Sequence, residues 1–206
     1  MIIKTLSVGM IMTNCYLVGC PETLEGAIID PGGDAPAILA KAQAANLTIK
    51  YVLNTHAHWD HISANADVLE ATNAQLAIHP KELPLLRARG GADLWNISVR
   101  TSPEPDIELA DGHVIRVGKL ELQTLFTPGH APGHVVFYAP SAGVVFDGDV
   151  LFKQGIGRTD LPGGDFQTLM HSIKTVLMAL PPETIVYSGH GPATTIGEER
   201  LTNPWL

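Results

Sequence analysis

Short runs of β-branched and aliphatic residues, cut by Gly, Pro, Asn and Asp, dominate the pattern of apolar and polar positions along this chain. Runs of this length with turn residues at both ends predict strands. They cover Ile2 to Val8, Cys15 to Val18, Ala27 to Asp30, Ile49 to Leu53, Gln75 to Ile78, Val114 to Val117, Leu120 to Phe126, Val135 to Tyr138, Val144 to Phe146 and Thr184 to Tyr187. Helical stretches are fewer. Asp34 with Pro36 just after it signals a helix through Ala45, and Asp165 plays the same capping role before Phe166 to Leu180, which stops at Pro181-Pro182. Further helices are predicted over Ile62 to Thr72 and Ile196 to Leu201. Helices spread between strands suit sheets covered by helices on their outer faces, an α/β class. Residues Arg87 to Asp106, with Gly90-Gly91, Pro103 and Pro105, form the least regular segment, and a long loop of this kind often borders a site.

Composition narrows the picture. With 206 residues, 45% of them hydrophobic and 17% charged, the chain can bury one good core and needs no second, so a single domain over 1–206 is expected. A net charge of -8 with 13 Lys+Arg argues against nucleic acid as the partner, because phosphate binding wants a basic surface. The start, Met1 to Val8, has no charged region followed by a longer apolar stretch, and no segment approaches the ~20 apolar residues of a membrane span. A cytoplasmic protein with no membrane partner is the expectation. Cys15 and Cys20 are too few for a sulfur-based zinc site, and Cys15 reads as a small buried hydrophobe.

The chemistry concentrates behind the run Ile49 to Leu53, where Thr55-His56-Ala57-His58-Trp59-Asp60-His61 puts three imidazoles and a carboxylate into one loop. Packing does not ask for that. Crowded imidazoles repel once protonated, so a neutral cluster facing a cation is the cheaper arrangement. Such a loop could hold one metal or two. Three later segments also follow apolar runs at their carboxyl ends: Thr127-Pro128-Gly129-His130-Ala131-Pro132-Gly133-His134, Phe146-Asp147-Gly148-Asp149, and Ser188-Gly189-His190. Loops at the same end of adjacent strands can converge on one point. Seven donors drawn from these four loops, which also hold His134 and Asp147 as alternatives, would make a dinuclear site. His79, His113 and His171 stand alone and receive no role; His134 is read as holding its own turn, and Asp30 as a turn former or an acceptor for a ligand N–H.

HxHxDH followed by a later His, a later Asp and a last His resembles the pattern of the metallo-β-lactamase superfamily. Within it the chain looks like a short glyoxalase II-type thioesterase lacking the extra helical domain. The matching motifs include Ile29-Asp30-Pro31-Gly32-Gly33-Asp34, Gly148-Asp149-Val150-Leu151-Phe152, Gly157-Arg158-Thr159-Asp160 and Glu199-Arg200-Leu201-Thr202-Asn203-Pro204. The resemblance implies a four-layer αββα sandwich with two divalent metal ions at one edge. Carried over by position, His56, His58 and His130 hold the first ion, Asp60, His61 and His190 the second, and Asp149 bridges; Asp60 and Asp149 are the carboxylates assigned to catalysis. Zn is the first expectation, with Fe or Mn as alternatives.

A pair of such ions at roughly 3.5 to 4 Å lowers the pKa of a bound water toward 7, giving hydroxide without a side-chain base. The implied reaction is attack on a small-molecule thioester, glutathione-derived, such as S-lactoylglutathione. A thiol leaving group of pKa about 8.5 needs little help from a general acid, which suits the absence of an evident Ser, Cys or Lys nucleophile. Lys153 and Arg158 are candidates to pair with a glutathione carboxylate, against the reading in which Arg158 pairs internally with Asp160 or Asp165. Two other functions stand beside this one. The persulfide dioxygenases share the pattern and use one iron held by two histidines and a carboxylate, here His56, His130 and Asp149; a non-catalytic metal-binding protein is the third. A β-lactamase is disfavoured by the missing export signal and a nuclease by the acidic balance.

Overall fold

The apolar runs become two six-stranded sheets and one two-stranded ribbon in a computed structural model that describes residues 1–206. The chain divides into two units, Met1–Leu109 with Arg116–Leu120, and Ala110–Ile115 with Glu121–Leu206.

The first unit holds β1 (Ile2–Val8), β2 (Thr13–Gly19), β3 (Glu25–Ile29), β4 (Thr48–Leu53), β5 (Gln75–Ile78) and β6 (Ile107–Glu108), side by side in chain order. The pairs β1–β2 and β2–β3 are antiparallel, while β3, β4, β5 and β6 run parallel. Parallel neighbours need crossovers, and helices supply them: α1 (Ala35–Ala44) between β3 and β4, then α2 (Trp59–Ile62) and α3 (Asn65–Thr72) between β4 and β5. A fourth helix, α4 (Leu83–Arg87), follows β5. Leu17, Ile28, Val52 and Leu76 from the sheet pack with Ile38 and Ala42 of α1 and Val68 of α3. A smaller cluster of Ala57, Ile62, Ile78 and Leu86 lies under the histidine loop.

Two helix signals resolve differently from expectation. Asp34 precedes α1 but makes no cap; it sits at φ 50, and its Oδ2 accepts the Gly9 N–H at 2.9 Å, tying down the β1–β2 turn. The helix predicted from Ile62 to Thr72 is interrupted, because the Ala64 N–H leaves the helical ladder to donate to the Pro31 carbonyl at 2.9 Å. The irregular segment after Arg87 includes 3₁₀ turns within Arg89–Trp95, broken by a kink where Gly90 and Gly91 take φ of 66 and 74.

The second unit carries β7 (Val114–Val117) and β8 (Leu120–Phe126), except for their shared turn Arg116–Leu120, and with them β9 (Val135–Ala139), β10 (Val144–Gly148), the ribbon β11 (Leu151–Phe152) and β12 (Gly155–Ile156), then β13 (Ile185–Ser188) and β14 (Thr194–Thr195). Its sheet order is β14-β13-β10-β9-β8-β7. Strands β10 and β13 are parallel, whereas β8–β9, β9–β10 and β13–β14 are antiparallel. The covering helix is α5 (Phe166–Thr175), capped as expected by Asp165, whose side chain accepts the Thr168 N–H at 2.7 Å. It ends earlier than predicted and finishes in a tighter 3₁₀ turn over Leu177–Ala179 before the two prolines. Leu169, Ile173 and Leu177 pack on Val136, Val145 and Val186, together with Ile196 of the last helix, α6 (Ile196–Thr202). No helix is long and apolar enough to cross a membrane.

Candidate metal centre

Strand direction decides where the donors go. In the first unit β3 and β4 are parallel neighbours, so the residues after them emerge at the same edge: Asp30 after β3 and Asn54 to His61 after β4. That edge is where open parallel sheets place ligands. In the second unit β10 and β13 are parallel, and Asp149 and His190 follow their carboxyl ends. The β8–β9 turn with His130 lies at the same edge, since Phe126 pairs with Val135 and Phe137 with Phe146.

The histidine loop is buried and closely packed. The His56 ring centroid is 4.7 Å from that of His58 and 4.2 Å from that of His61, and His61 Nε2 lies 3.2 Å from Asp60 Oδ2. His56 and His61 have no exposed surface, and Asp60 keeps 7%. Asp30 organises this loop from below. Its carboxylate accepts the Thr55 N–H at 2.8 Å and the Thr55 hydroxyl at 2.7 Å, and faces His61 Nδ1 at 3.0 Å. The turn-former and acceptor readings of Asp30 therefore both hold, and its φ of 49 marks the turn.

These bonds fix the ring tautomers. The Thr55 hydroxyl proton goes to Asp30, so Thr55 Oγ1 accepts from His56 Nδ1 at 3.0 Å and leaves the lone pair on Nε2. His61 Nδ1 donates to the carboxylate, and its lone pair too sits on Nε2. In the second unit His130 Nδ1 lies 2.8 Å from the Arg158 carbonyl, which can only accept. Its Nε2 is 3.6 Å from Asp149 Oδ2, and His190 Nε2 is 3.7 Å from the same oxygen. Lone pairs directed toward carboxylate oxygens repel unless a cation joins them. In the first unit His56 and His61, and in the second His130, are anchored through Nδ1 with the Nε2 lone pair left for a ligand, and the Nε2 atoms of His61 and His130 face Asp60 and Asp149; each group is of a kind that fits divalent metal.

His134 serves the site without belonging to it. Its Nε2 accepts the Asp149 N–H at 3.2 Å and its Nδ1 contacts Thr127 Oγ1 at 3.1 Å, so both nitrogens hold the turn and the bridging-candidate backbone. Asp147 accepts the Leu151 N–H at 3.0 Å, and burial pushes its carboxyl well above the usual range. Trp59 supplies backbone: its carbonyl accepts from Ser63 Oγ at 2.5 Å. Lys153 Nζ lies 3.1 Å from Glu198 Oε1, and Arg158 grips Asp160 through two bonds of 2.7 and 2.8 Å. The internal pairing considered for Arg158 is thus present, and it holds the Asp160 carboxyl down at about 2.

Several supporting residues carry no mark in the sequence. Thr13 Oγ1 donates to Asp60 Oδ2 at 2.9 Å, and the fully buried Glu82 accepts the Ala57 N–H at 2.8 Å in the middle of the histidine loop. Two glycines allow ligand backbone to approach. A Cβ on Gly32 would stand 1.7 Å from the Asp60 carbonyl oxygen, and one on Gly157 would stand 1.8 Å from that of Asp149. Only the Pro31-Gly32-Gly33 and Gly157-Arg158 motifs hinted at them; Thr13 and Glu82 lie in segments with no motif.

Comparison with known proteins places this geometry in context. The metallo-beta-lactamase superfamily model matches residues 8–190. The probable metallo-hydrolase YqgX of Bacillus subtilis is 41% identical over 207 residues, spanning 98% of this chain and 96% of the relative. Hydroxyacylglutathione hydrolase GloC of Haemophilus influenzae is 35% identical over 217 residues, spanning 99% and 97%. The mitochondrial persulfide dioxygenase ETHE1 of Homo sapiens is 33% identical over 199 residues, spanning 94% and 71%. Among solved structures, BLEG-1 B3 metallo-beta-lactamase gives a TM-score of 0.94 at 40% identity, covering 100% of this chain and 99% of its own. TTHA1623 in a di-iron-bound form gives 0.91 at 41% identity, covering 98% and 100%.

Proposed function

This chain belongs to the metallo-β-lactamase superfamily, and on that premise we propose that it is a metal-dependent hydrolase of S-acylglutathione thioesters such as S-lactoylglutathione. The expected fold class is met, as the match to BLEG-1 over the whole chain attests. The observation that carries the reading is the donor set itself: His61, His56 and His130 anchored through Nδ1 by Asp30, Thr55 and the Arg158 carbonyl, and the Nε2 atoms of His61, His130 and His190 close to Asp60 or Asp149. In this assignment His56, His58 and His130 would hold one ion, Asp60, His61 and His190 the other, and Asp149 both.

Two divalent ions held this way would supply Lewis acidity and a water of lowered pKa, toward about 7. The chain's own residues do the rest by orientation. Asp30 keeps His61 and, through Thr55, His56 in their ligating tautomers; Thr13 holds the Asp60 carboxylate; His134 fixes the Asp149 backbone. The departing thiolate, with a pKa of about 8.5, leaves without a protein acid. Zinc is the first choice from five imidazoles and two carboxylates, with iron next because TTHA1623 takes a di-iron form, and manganese a further candidate. Lys153 and Arg158 would meet a glutathione carboxylate only by exchanging it for Glu198 or Asp160. A cytoplasmic location goes with a glutathione-derived substrate.

The second reading is a one-iron glutathione persulfide dioxygenase using His56, His130 and Asp149, favoured by the identity with ETHE1. The thioesterase reading is preferred because the chain spans 97% of GloC but 71% of ETHE1, and because Asp60, His61 and His190 complete a second ligand set. A thioester panel on metal-quantified protein, run beside oxygen uptake on glutathione persulfide, separates them. Hydrolysis of S-lactoylglutathione without oxygen uptake is expected; stoichiometric uptake with inert thioesters would reverse the assignment.

A further inference from the structure

The motif Glu199 to Asn203 follows the last candidate ligand, yet nothing in the proposed chemistry uses it. Glu199 is fully buried on α6, and its two oxygens reach two different loops. Oε2 accepts the Gln154 N–H at 2.8 Å, in the turn of the β11–β12 ribbon that begins two residues after Asp149. Oε1 accepts from Thr194 Oγ1 at 2.5 Å, four residues after His190. Asn203, one helical turn on, donates Nδ2 to Glu199 Oε2 at 2.8 Å and to the Gly155 carbonyl at 3.0 Å.

The ribbon needs such a hold. It has two residue pairs, Leu151–Ile156 and Phe152–Gly155, and a hairpin so short is not stable alone. Its turn places Gln154 at φ 59, a left-handed conformation that a side chain disfavours. Both of its ends touch candidate ligands. Asp149 precedes it, and Gly157-Arg158 follows, where the Gly157 N–H donates to the Val150 carbonyl at 3.1 Å and the Arg158 carbonyl receives His130 Nδ1. A shift of the ribbon therefore moves Asp149 and His130 together.

We propose that Glu199, through Gln154 on one oxygen and Thr194 on the other, is a positioning residue that sets the spacing of Asp149, His130 and His190 for metal. The inference rests on the metal-site assignment above, and its test reads metal instead of hydrolysis. Metal-free protein is titrated with Co²⁺ against a competing chelator, the visible absorption reporting ligand geometry. Glu199→Gln, which keeps shape and one acceptor, should weaken cobalt binding about tenfold, the lower end for residues that orient ligands, and alter the cobalt spectrum. Thr194→Val, which removes only the hydroxyl donor, should shift the spectrum in the same sense and serves if the first variant does not fold. Arg200→Ala, on the same helix with its guanidinium on the Met178 carbonyl, should leave both readouts unchanged. Wild-type affinity and spectrum in Glu199→Gln or Thr194→Val would overturn the proposal, as would an equal loss in Arg200→Ala. Wild-type protein that takes up cobalt but hydrolyses no thioester would sink the functional reading alone.

Discussion

The two groups of candidate ligands are built on opposite plans. Between Thr55 and His61 four donors sit on one short loop, oriented by side chains reaching in from elsewhere: Asp30, Thr13 and Glu82. His130, Asp149 and His190 are spread over sixty residues and meet because β8, β9, β10 and β13 bring their connecting loops to one sheet edge. In the first group buried side chains bond the donor rings and carboxylate directly, whereas the second rests on strand register and on contacts made to its backbone, such as the Arg158 carbonyl on His130, His134 on the Asp149 N–H and Glu199 on the Gln154 N–H. Damage to a single side chain should therefore hurt the first group more, and damage to the backbone path the second.

The largest effects should come from the two close-approach glycines. Gly157→Ala drives a Cβ into the Asp149 carbonyl and Gly32→Ala into that of Asp60, each against backbone that cannot step aside. Overpacking of this kind costs about 1–3 kcal/mol or more, read as a lower denaturation midpoint. Metal analysis should show Gly157→Ala depleted of both proposed ions and Gly32→Ala mainly of the one assigned to Asp60; equal depletion would erase the contrast between the groups. Next in size is Asp30→Asn, which removes the charge anchoring His61 and Thr55. A loss of roughly 10- to 100-fold in metal affinity is expected from chelator competition. Thr13→Val deletes one hydrogen bond to Asp60, worth about 1 kcal/mol, so a several-fold loss of affinity should follow with the fold intact.

The smallest effect belongs to the exposed Arg158–Asp160 pair. Asp160 is held at about 2, below its value of about 3.9 in an unfolded chain, so its contribution is present above pH 4 and fades as pH falls through 2. Surface pairs contribute little. Asp160→Asn should lower the melting temperature slightly at pH 7 and hardly at all near about pH 1, while a difference that persists undiminished there would mean that packing and not charge is at work.

The same contrast governs what could be read from the sequence. Apolar runs such as Gln75–Ile78, Val114–Val117 and Leu120–Phe126 form strands with the expected boundaries, because burial on a sheet leaves a visible pattern. Strands of two residues, β6, β11, β12 and β14, have no period to detect. Helix α4 leaves no sequence signature, because five residues with a proline inside look like loop. Asp34 looks like a cap because local chemistry allows it, yet the Gly9 N–H competes for the same carboxylate. The histidine loop announced itself through four donors in six residues. Thr13 and Glu82 could not, since a threonine in a strand and a glutamate between Lys81 and Leu83 are ordinary until folding brings them to Asp60 and Ala57.

The most direct test of the central claim is a metal titration of metal-free protein with S-lactoylglutathione as reporter. A two-ion hydrolase predicts that hydrolysis, abolished by chelation, returns with added Zn²⁺ or Fe²⁺ and levels off at two equivalents per chain. A plateau at one equivalent, or no hydrolysis at any loading, would contradict it.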